Sequence, residues 1–260
     1  ANTSNSFQVK QKSRIQYHTF LELISLDEKK AEAVFSNGLE LFEQCESSCS
    51  LVPHATYSVS EKLFSLLKRY NSGEPICIHN QETKTEDELF EKGSGKLFEQ
   101  LKQFGTIPVS GKSALQTTLP KMSKQTPIVL VHNTYTSKKD IDCAASYNAK
   151  LYWCTCPKAN LYIENRLPNY SIFDRDKLCV GTDSLASNNS LSILEELQII
   201  QENSDFDLNT LLQISSKNGA EALGFTQLGT FEKGKIPGVN FIKGLDGMKI
   251  TQRSFVGKLN

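Results

Sequence analysis

Apolar, β-branched runs bounded by polar turns recur along the chain at Arg14–His18, Cys49–His54, Ile76–His79, Ile128–His132, Leu151–Cys154 and Leu178–Gly181. Each has the length and residue types of a buried strand. Between them the apolar positions change to helical spacing, over Asp27–Cys45, Ser58–Tyr70, Glu86–Phe104 and Lys138–Tyr147, and after the last strand over Leu191–Gln201 and Leu208–Lys217. Strands alternating with helices long enough to cross back over a sheet predict an α/β fold with parallel strands. Shorter strand-like pieces near Gly229–Phe231, Val239–Lys243 and Lys249–Arg253 predict a small antiparallel appendage.

Four of the six predicted strands end on histidine. Polar, chemically capable residues at the C-terminal ends of successive strands are how a (β/α)8 barrel builds its active site, whereas a dinucleotide-binding sheet would carry glycine-rich turns there. Gly111-Lys112-Ser113 looks like the end of a phosphate-binding loop, but Thr106 stands where the first glycine is needed and no strand leads into it. A closed barrel needs eight strands, and six would leave two open edges. The expected architecture is therefore a TIM-type barrel lacking its first strands over residues 1–224, with 225–260 as the small antiparallel appendage.

Composition narrows the partner. Lys and Arg together number 29, as do Asp and Glu, so no net positive field attracts nucleic acid or an anionic membrane. A small-molecule substrate is the expected partner, and a homo-oligomer is left open. No apolar run approaches the roughly 20 residues of a membrane span. The opening Ala1-Asn2-Thr3-Ser4-Asn5-Ser6 lacks the apolar stretch of a signal peptide, so a cytoplasmic location is expected. Seven cysteines without framework spacing point to reduced thiols. Cys154-Thr155-Cys156 is one tight pair where cysteine zinc sites usually have two, and it reads as strand packing.

Three strand ends carry candidate chemistry. His79 is followed three residues later by Glu82, a spacing that can set an imidazole on a metal and a carboxylate beside a reacting atom. His132 ends the following strand, and Asp183 the last one, where a carboxylate can bind a divalent ion and accept a proton from its water. Taken singly, each has a plain reading: a turn histidine with a helix-start glutamate, a hydrogen-bonded core histidine, a helix N-cap. Three together favour a metal site.

At these residues the sequence resembles the amidohydrolase superfamily, in its cytosine, guanine and adenosine-nucleoside deaminase-like branch. His79-Asn80-Gln81-Glu82 resembles the strand-five His-x-x-Glu, Val131-His132 the strand-six histidine, and Gly181-Thr182-Asp183-Ser184-Leu185-Ala186-Ser187-Asn188 the strand-eight aspartate motif. Cys156-Pro157-Lys158-Ala159-Asn160, continuing to Asn165-Arg166-Leu167-Pro168, is similar to the strand-seven signature. Asn218-Gly219-Ala220-Glu221-Ala222-Leu223-Gly224 is similar to the helix and turn leading into the family's C-terminal β-sandwich.

The resemblance implies one divalent ion, Zn²⁺ or Fe²⁺, held by His79 and Asp183, and hydrolytic deamination of an aminated purine-type nucleoside or related ring by a metal-bound hydroxide. It makes Glu82, His132 and Asp183 catalytic: Glu82 shuttles a proton to the ring nitrogen, His132 orients the hydroxide, and Asp183 takes its proton. His54, Glu82, Asn160 and Arg166 are the expected substrate contacts; the family usually has proline where Thr56 stands. Nucleoside-type members acting on adenosylhomocysteine, methylthioadenosine or aminodeoxyfutalosine are the most similar. Lys84 to Gln125 is about twice a usual crossover and is expected to cover the pocket. Ser113-Ala114-Leu115-Gln116 within it is either a substrate contact or a helix start. The family's His-x-His from strand one has no counterpart among His18, His54, His79 and His132, which places half the metal shell outside this sequence. Alternatives are a non-catalytic barrel fragment, and another amidohydrolase such as a chlorohydrolase or cyclic amide hydrolase.

Overall fold

The computed structural model describes residues 3–71 and 73–259, so the Ala1-Asn2 start of the opening segment lies outside the described residues. Six parallel strands follow one another, β1 (His18–Leu23), β2 (Ser48–Pro53), β3 (Ile76–Asn80), β4 (Ile128–His132), β5 (Leu151–Thr155) and β6 (Leu178–Val180). β1 pairs with β2, and β3 to β6 form a second sheet in chain order. The two sheets meet just past β2, where Ala55 bridges to His79 and the His79 amide donates to the His54 carbonyl at 2.9 Å.

The first strand lies further along than the apolar run Arg14–His18 suggests: His18 opens it rather than closing it. Thr19, Leu21 and Leu23 form its buried face, whereas Ile15 is 68% exposed. The alternation in Thr19–Leu23 is hidden in the sequence because the polar Thr19 lies on the buried face and the apolar Phe20 on the opposite one. The predicted helix Glu86–Phe104 is two, Lys84–Lys92 and Lys96–Leu101, because Gly93 ends the first in the left-handed conformation. Lys138–Tyr147 is helical as predicted, opened by a Ser137/Asp140 capping box. The helix Ala114–Thr118, N-capped by Ser113, agrees with the helix start read at Ser113–Gln116, whereas Phe7–Gln11 and Pro157–Glu164 carry too few periodic positions to be read from the pattern. In the appendage, β7 (Val239–Lys243) pairs antiparallel with β8 (Phe255–Leu259), while the expected pieces at 229–231 and 249–253 are turns and loop.

Ile78, Ile128, Leu130 and Leu178 from the strands pack against Leu63, Ile200 and Leu211 from the helices, all essentially without exposure. A separate small cluster of Leu89, Phe90, Ile107 and Ala114 holds the long segment between β3 and β4 together. The other face of the sheet is different. Phe20 and Glu22 of β1, His79 of β3, Val131 of β4 and Cys154 of β5 are only half-buried. Register places Val131 beside His79 and Cys154 beside Val131, so these three form one row, and Glu22 Oε1 lies 3.9 Å from His79 Nε2. Among the described residues, no helix is long and apolar enough to cross a membrane.

Candidate active site

Strand periodicity alone would send His79 and His132 to opposite faces, since the register partner of His132 is Asn80. The backbone prevents this. His132 has φ +74° and Asn133 φ +59°, and this left-handed pair turns the imidazole back over the strand end. The two rings then stack with centroids 5.5 Å apart and planes 23° apart. His54, one residue past β2, comes within 4.7 Å of His79, centroid to centroid.

Hydrogen bonds fix each ring. His79 Nδ1 lies 2.7 Å from the His54 carbonyl, which sets Nδ1 as the donor and turns Nε2 outward, 3.9 Å from Glu22 Oε1. His132 is buried; its Nδ1 lies 3.0 Å from Asn160 Oδ1, and its carbonyl accepts from Asn160 Nδ2 at 3.2 Å. His132 Nε2 lies 3.3 Å from Glu82 Oε1. Asn160 therefore uses both ends of its amide on His132. His54 Nδ1 meets Ser58 Oγ at 2.8 Å, and burial, followed by the charge of His79, holds the His54 imidazole below its ordinary pKa.

Asp183 follows β6 with φ +58°, and its Oδ2 accepts from the Ser187 hydroxyl. Arg166 sets its guanidinium 4.8 Å from the centre of the Tyr135 ring; the Tyr135 hydroxyl donates to Glu164 at 2.6 Å, and its amide to the Gln81 carbonyl at 3.1 Å. Among the described residues, no group of three or more His, Cys, Asp or Glu side chains is placed to hold a metal ion. All seven cysteines are free. Cys154 sits beside Cys179 in register, and a Cβ on Gly181 would come within 3.2 Å of the Cys154 sulfur, so strand packing accounts for the cysteine pair.

The loop after β3 is clamped from below. Glu86, with no exposure, accepts backbone N–H bonds from Gln81 at 3.0 Å, Glu82 at 2.8 Å and Thr83 at 3.0 Å. Burial pushes its carboxyl up to about 8, with the backbone donors pulling the other way. The Thr83-x-x-Glu86 and Ser137-x-x-Asp140 spacings are readable in sequence as capping boxes and signal these clamps; nothing in the sequence marks Gln81 or Asn133. A cavity of about 480 Å³ opens between the loops after β1 and β2 and residues 105–108, and none of His54, His79, Glu82, His132 or Asp183 lines it. Tyr57 stands on its wall, with its ring centroid 6.2 Å from that of His54.

Residues 28–258 match the amidohydrolase family. A 5-methylthioadenosine/S-adenosylhomocysteine deaminase from Teredinibacter turnerae is 29% identical over 197 residues, covering 70% of this chain and 40% of that protein. The crystal structure of Helicobacter pylori aminofutalosine deaminase in complex with methylthio-coformycin superposes with a TM-score of 0.77 at 23% identity, over 92% of this chain and 61% of that one. An adenosine deaminase from Xanthomonas campestris with bound zinc superposes with a TM-score of 0.66 at 21% identity, over 88% of this chain and 53% of that one. The chain spans about half the length of the curated relatives it matches.

Proposed function

Because the chain belongs to the amidohydrolase family, we propose that the full-length protein is a metal-dependent hydrolytic deaminase acting on an aminated purine-type nucleoside or a related ring. Its architecture on this reading is a TIM-type barrel of which residues 1–224 supply six strands, with 225–260 belonging to an accessory β-sandwich. The observation that carries the reading is the convergence of His79, His132 and Glu82, with Glu82 Oε1 3.3 Å from His132 Nε2.

His79 fits a metal ligand in one specific respect: its Nδ1 is committed to a backbone carbonyl, which leaves Nε2 as the donor atom, the arrangement that ligating histidines commonly adopt. Asp183 is the second ligand on this reading, and the remaining ligands come from outside these 260 residues. When bound, the ion supplies a water acidic enough to be a nucleophile at neutral pH. Glu82 carries a proton to the ring nitrogen next to the reacting carbon, and His132, held by Asn160, orients the nucleophile through Nε2. Asp183 accepts the proton released, and Ser187 holds its second oxygen. His54 faces the substrate, and the cavity beside Tyr57 gives room for the part of the substrate beyond the ring. Arg166, stacked on Tyr135, keeps the in-plane N–H donors of its guanidinium for the substrate.

The test is metal analysis together with ammonia release by the full-length protein against a panel of aminopurine nucleosides. Stoichiometric metal with ammonia release on at least one is expected. Metal without ammonia release on any of them would end the deaminase reading and turn attention to other ring hydrolyses of the family.

A further inference from the structure

Gln81 has no part in the roles assigned above, yet its side chain is fully buried and fully hydrogen-bonded. Its Nε2 donates to Asp87 at 3.0 Å and to Asp140 Oδ2 at 3.3 Å. Its Oε1 accepts from the Thr136 hydroxyl at 2.8 Å and from Asn80 Nδ2 at 3.4 Å. Its backbone is left-handed, φ +46°, a conformation that costs a side-chain-bearing residue roughly 1–2 kcal/mol.

The two carboxylates that receive the amide also hold the start of the helix Ala114–Thr118. Asp87 Oδ1 accepts the Ala114 amide at 2.8 Å, and Asp140 Oδ1 accepts Ser113 Oγ at 2.5 Å and Gln116 Nε2 at 3.0 Å. Asp140 Oδ2 is further bonded to the Ser137 amide and hydroxyl. One primary amide has two N–H bonds, and here each faces a different carboxylate. An apolar filler would hold these three segments together without the cost of two buried acids. What it would not do is link the backbone beside Glu82 to residues 113–116 through bonds of fixed direction.

We propose that Gln81 is a positioning residue for the reaction: through Asp87 and Asp140 it couples the seating of residues 113–116, in the segment that covers the pocket, to the placement of Glu82 against His132. The proposal rests on the role given to Glu82 above. It also assigns Ser113 and Gln116 a function, as anchors of the network rather than as substrate contacts.

The test uses the full-length protein with Ser113→Ala, Ser113→Thr and Gln81→Glu. Ser113→Ala removes one hydrogen bond from Asp140 and the cap that Ser113 Oγ gives the Gln116 amide, both well away from Glu82 in the chain. Its expected effect is a kcat lower by a factor of roughly 10 to 100 with KM nearly unchanged, together with unchanged bound metal and faster amide hydrogen exchange at residues 82 and 83. Ser113→Thr keeps the hydroxyl and restores both readouts. Gln81→Glu sets a third carboxylate between Asp87 and Asp140 and gives the larger loss; where it fails to fold, Ser113→Ala decides. Wild-type kcat and unchanged exchange in Ser113→Ala, whatever its melting temperature, would overturn the coupling. Exchange is read without turnover, so an unsubstituted protein that releases no ammonia sinks the functional reading and leaves the coupling to be decided by exchange alone.

Discussion

Glu82 reaches His132 with one carboxylate oxygen while its backbone amide is held by Glu86, so its side chain is free to exchange a proton without the loop moving. Glu82→Gln in the full-length protein keeps the shape and removes only proton transfer. Turnover should fall by a factor of roughly 10² to 10⁴ with bound metal nearly intact, as steady-state rates beside metal analysis would reveal; near-normal turnover removes Glu82 from the chemistry. Asp140 makes a separate prediction. Burial acts to raise its pKa, but hydrogen bonds from Ser113, Ser137 and Gln81 outweigh it and hold the carboxyl below its ordinary value. Its folded pKa therefore lies below the unfolded value of about 3.9. The stability this contributes is present above that pH and is lost as the pH falls through the folded value. Asp140→Asn should destabilise by roughly 1–3 kcal/mol at pH 7 and by less at acid pH, which denaturant unfolding at the two pH values measures.

At the scale of the element, the strand ends were legible and the loops between them were not. Ile128–His132 is bounded by Pro127 on one side and Asn133 on the other and matches its strand residue for residue. Arg14–His18 misled because an apolar Ile15 at an exposed position outweighed the weaker alternation that follows it. Pro157–Glu164 reads only as a motif, since its residues serve neighbouring elements: Asn160 holds His132 at the end of β4, and the Lys158 amide donates to Glu196 of the helix Ile193–Glu202. The meeting of His79 with His132 was expected from resemblance, but the left-handed backbone that brings it about leaves no trace in residue type at His132. The segment after Glu82 has the pattern of one helix because periodicity carries across Gly93, where φ is +60° and a Cβ would come 2.6 Å from a Val109 methyl. Gly93→Ala should cost roughly 1–2 kcal/mol from the backbone alone, lowering the melting temperature by a few degrees. An unchanged melting curve would mean that this helix end carries no strain.

For the whole molecule, the half-buried residues Phe20, Glu22, His79, Val131 and Cys154 are the feature that the other scales do not explain. A face that carries both apolar side chains and the candidate ligands is suited to the inside of a closed barrel, and β1 and β6 each leave one strand edge unpaired in the described sheets. The 260-residue chain by itself is therefore expected to lose zinc on dialysis against a weak chelator and to self-associate through that face. Metal analysis and sedimentation would check the two halves separately. Stoichiometric zinc in a monomer would show that His79 and Asp183 find their remaining partners within this chain, contrary to the ligand set proposed.

The left-handed residues at the strand ends bear on how substitutions there are interpreted. Gln81, His132, Asn133 and Asp183 are four of the five non-glycine residues with positive φ among those described. Replacing any of them with alanine changes two things together, because the new residue loses the side chain and still has to adopt a conformation that only glycine, and to a lesser degree asparagine, enters readily. An alanine scan across the site thus exaggerates the chemical importance of these positions by a conformational contribution of its own. Asparagine is the fairer comparator at His132, and glycine at Asp183. The difference between His132→Ala and His132→Asn separates what the imidazole does from what its backbone costs.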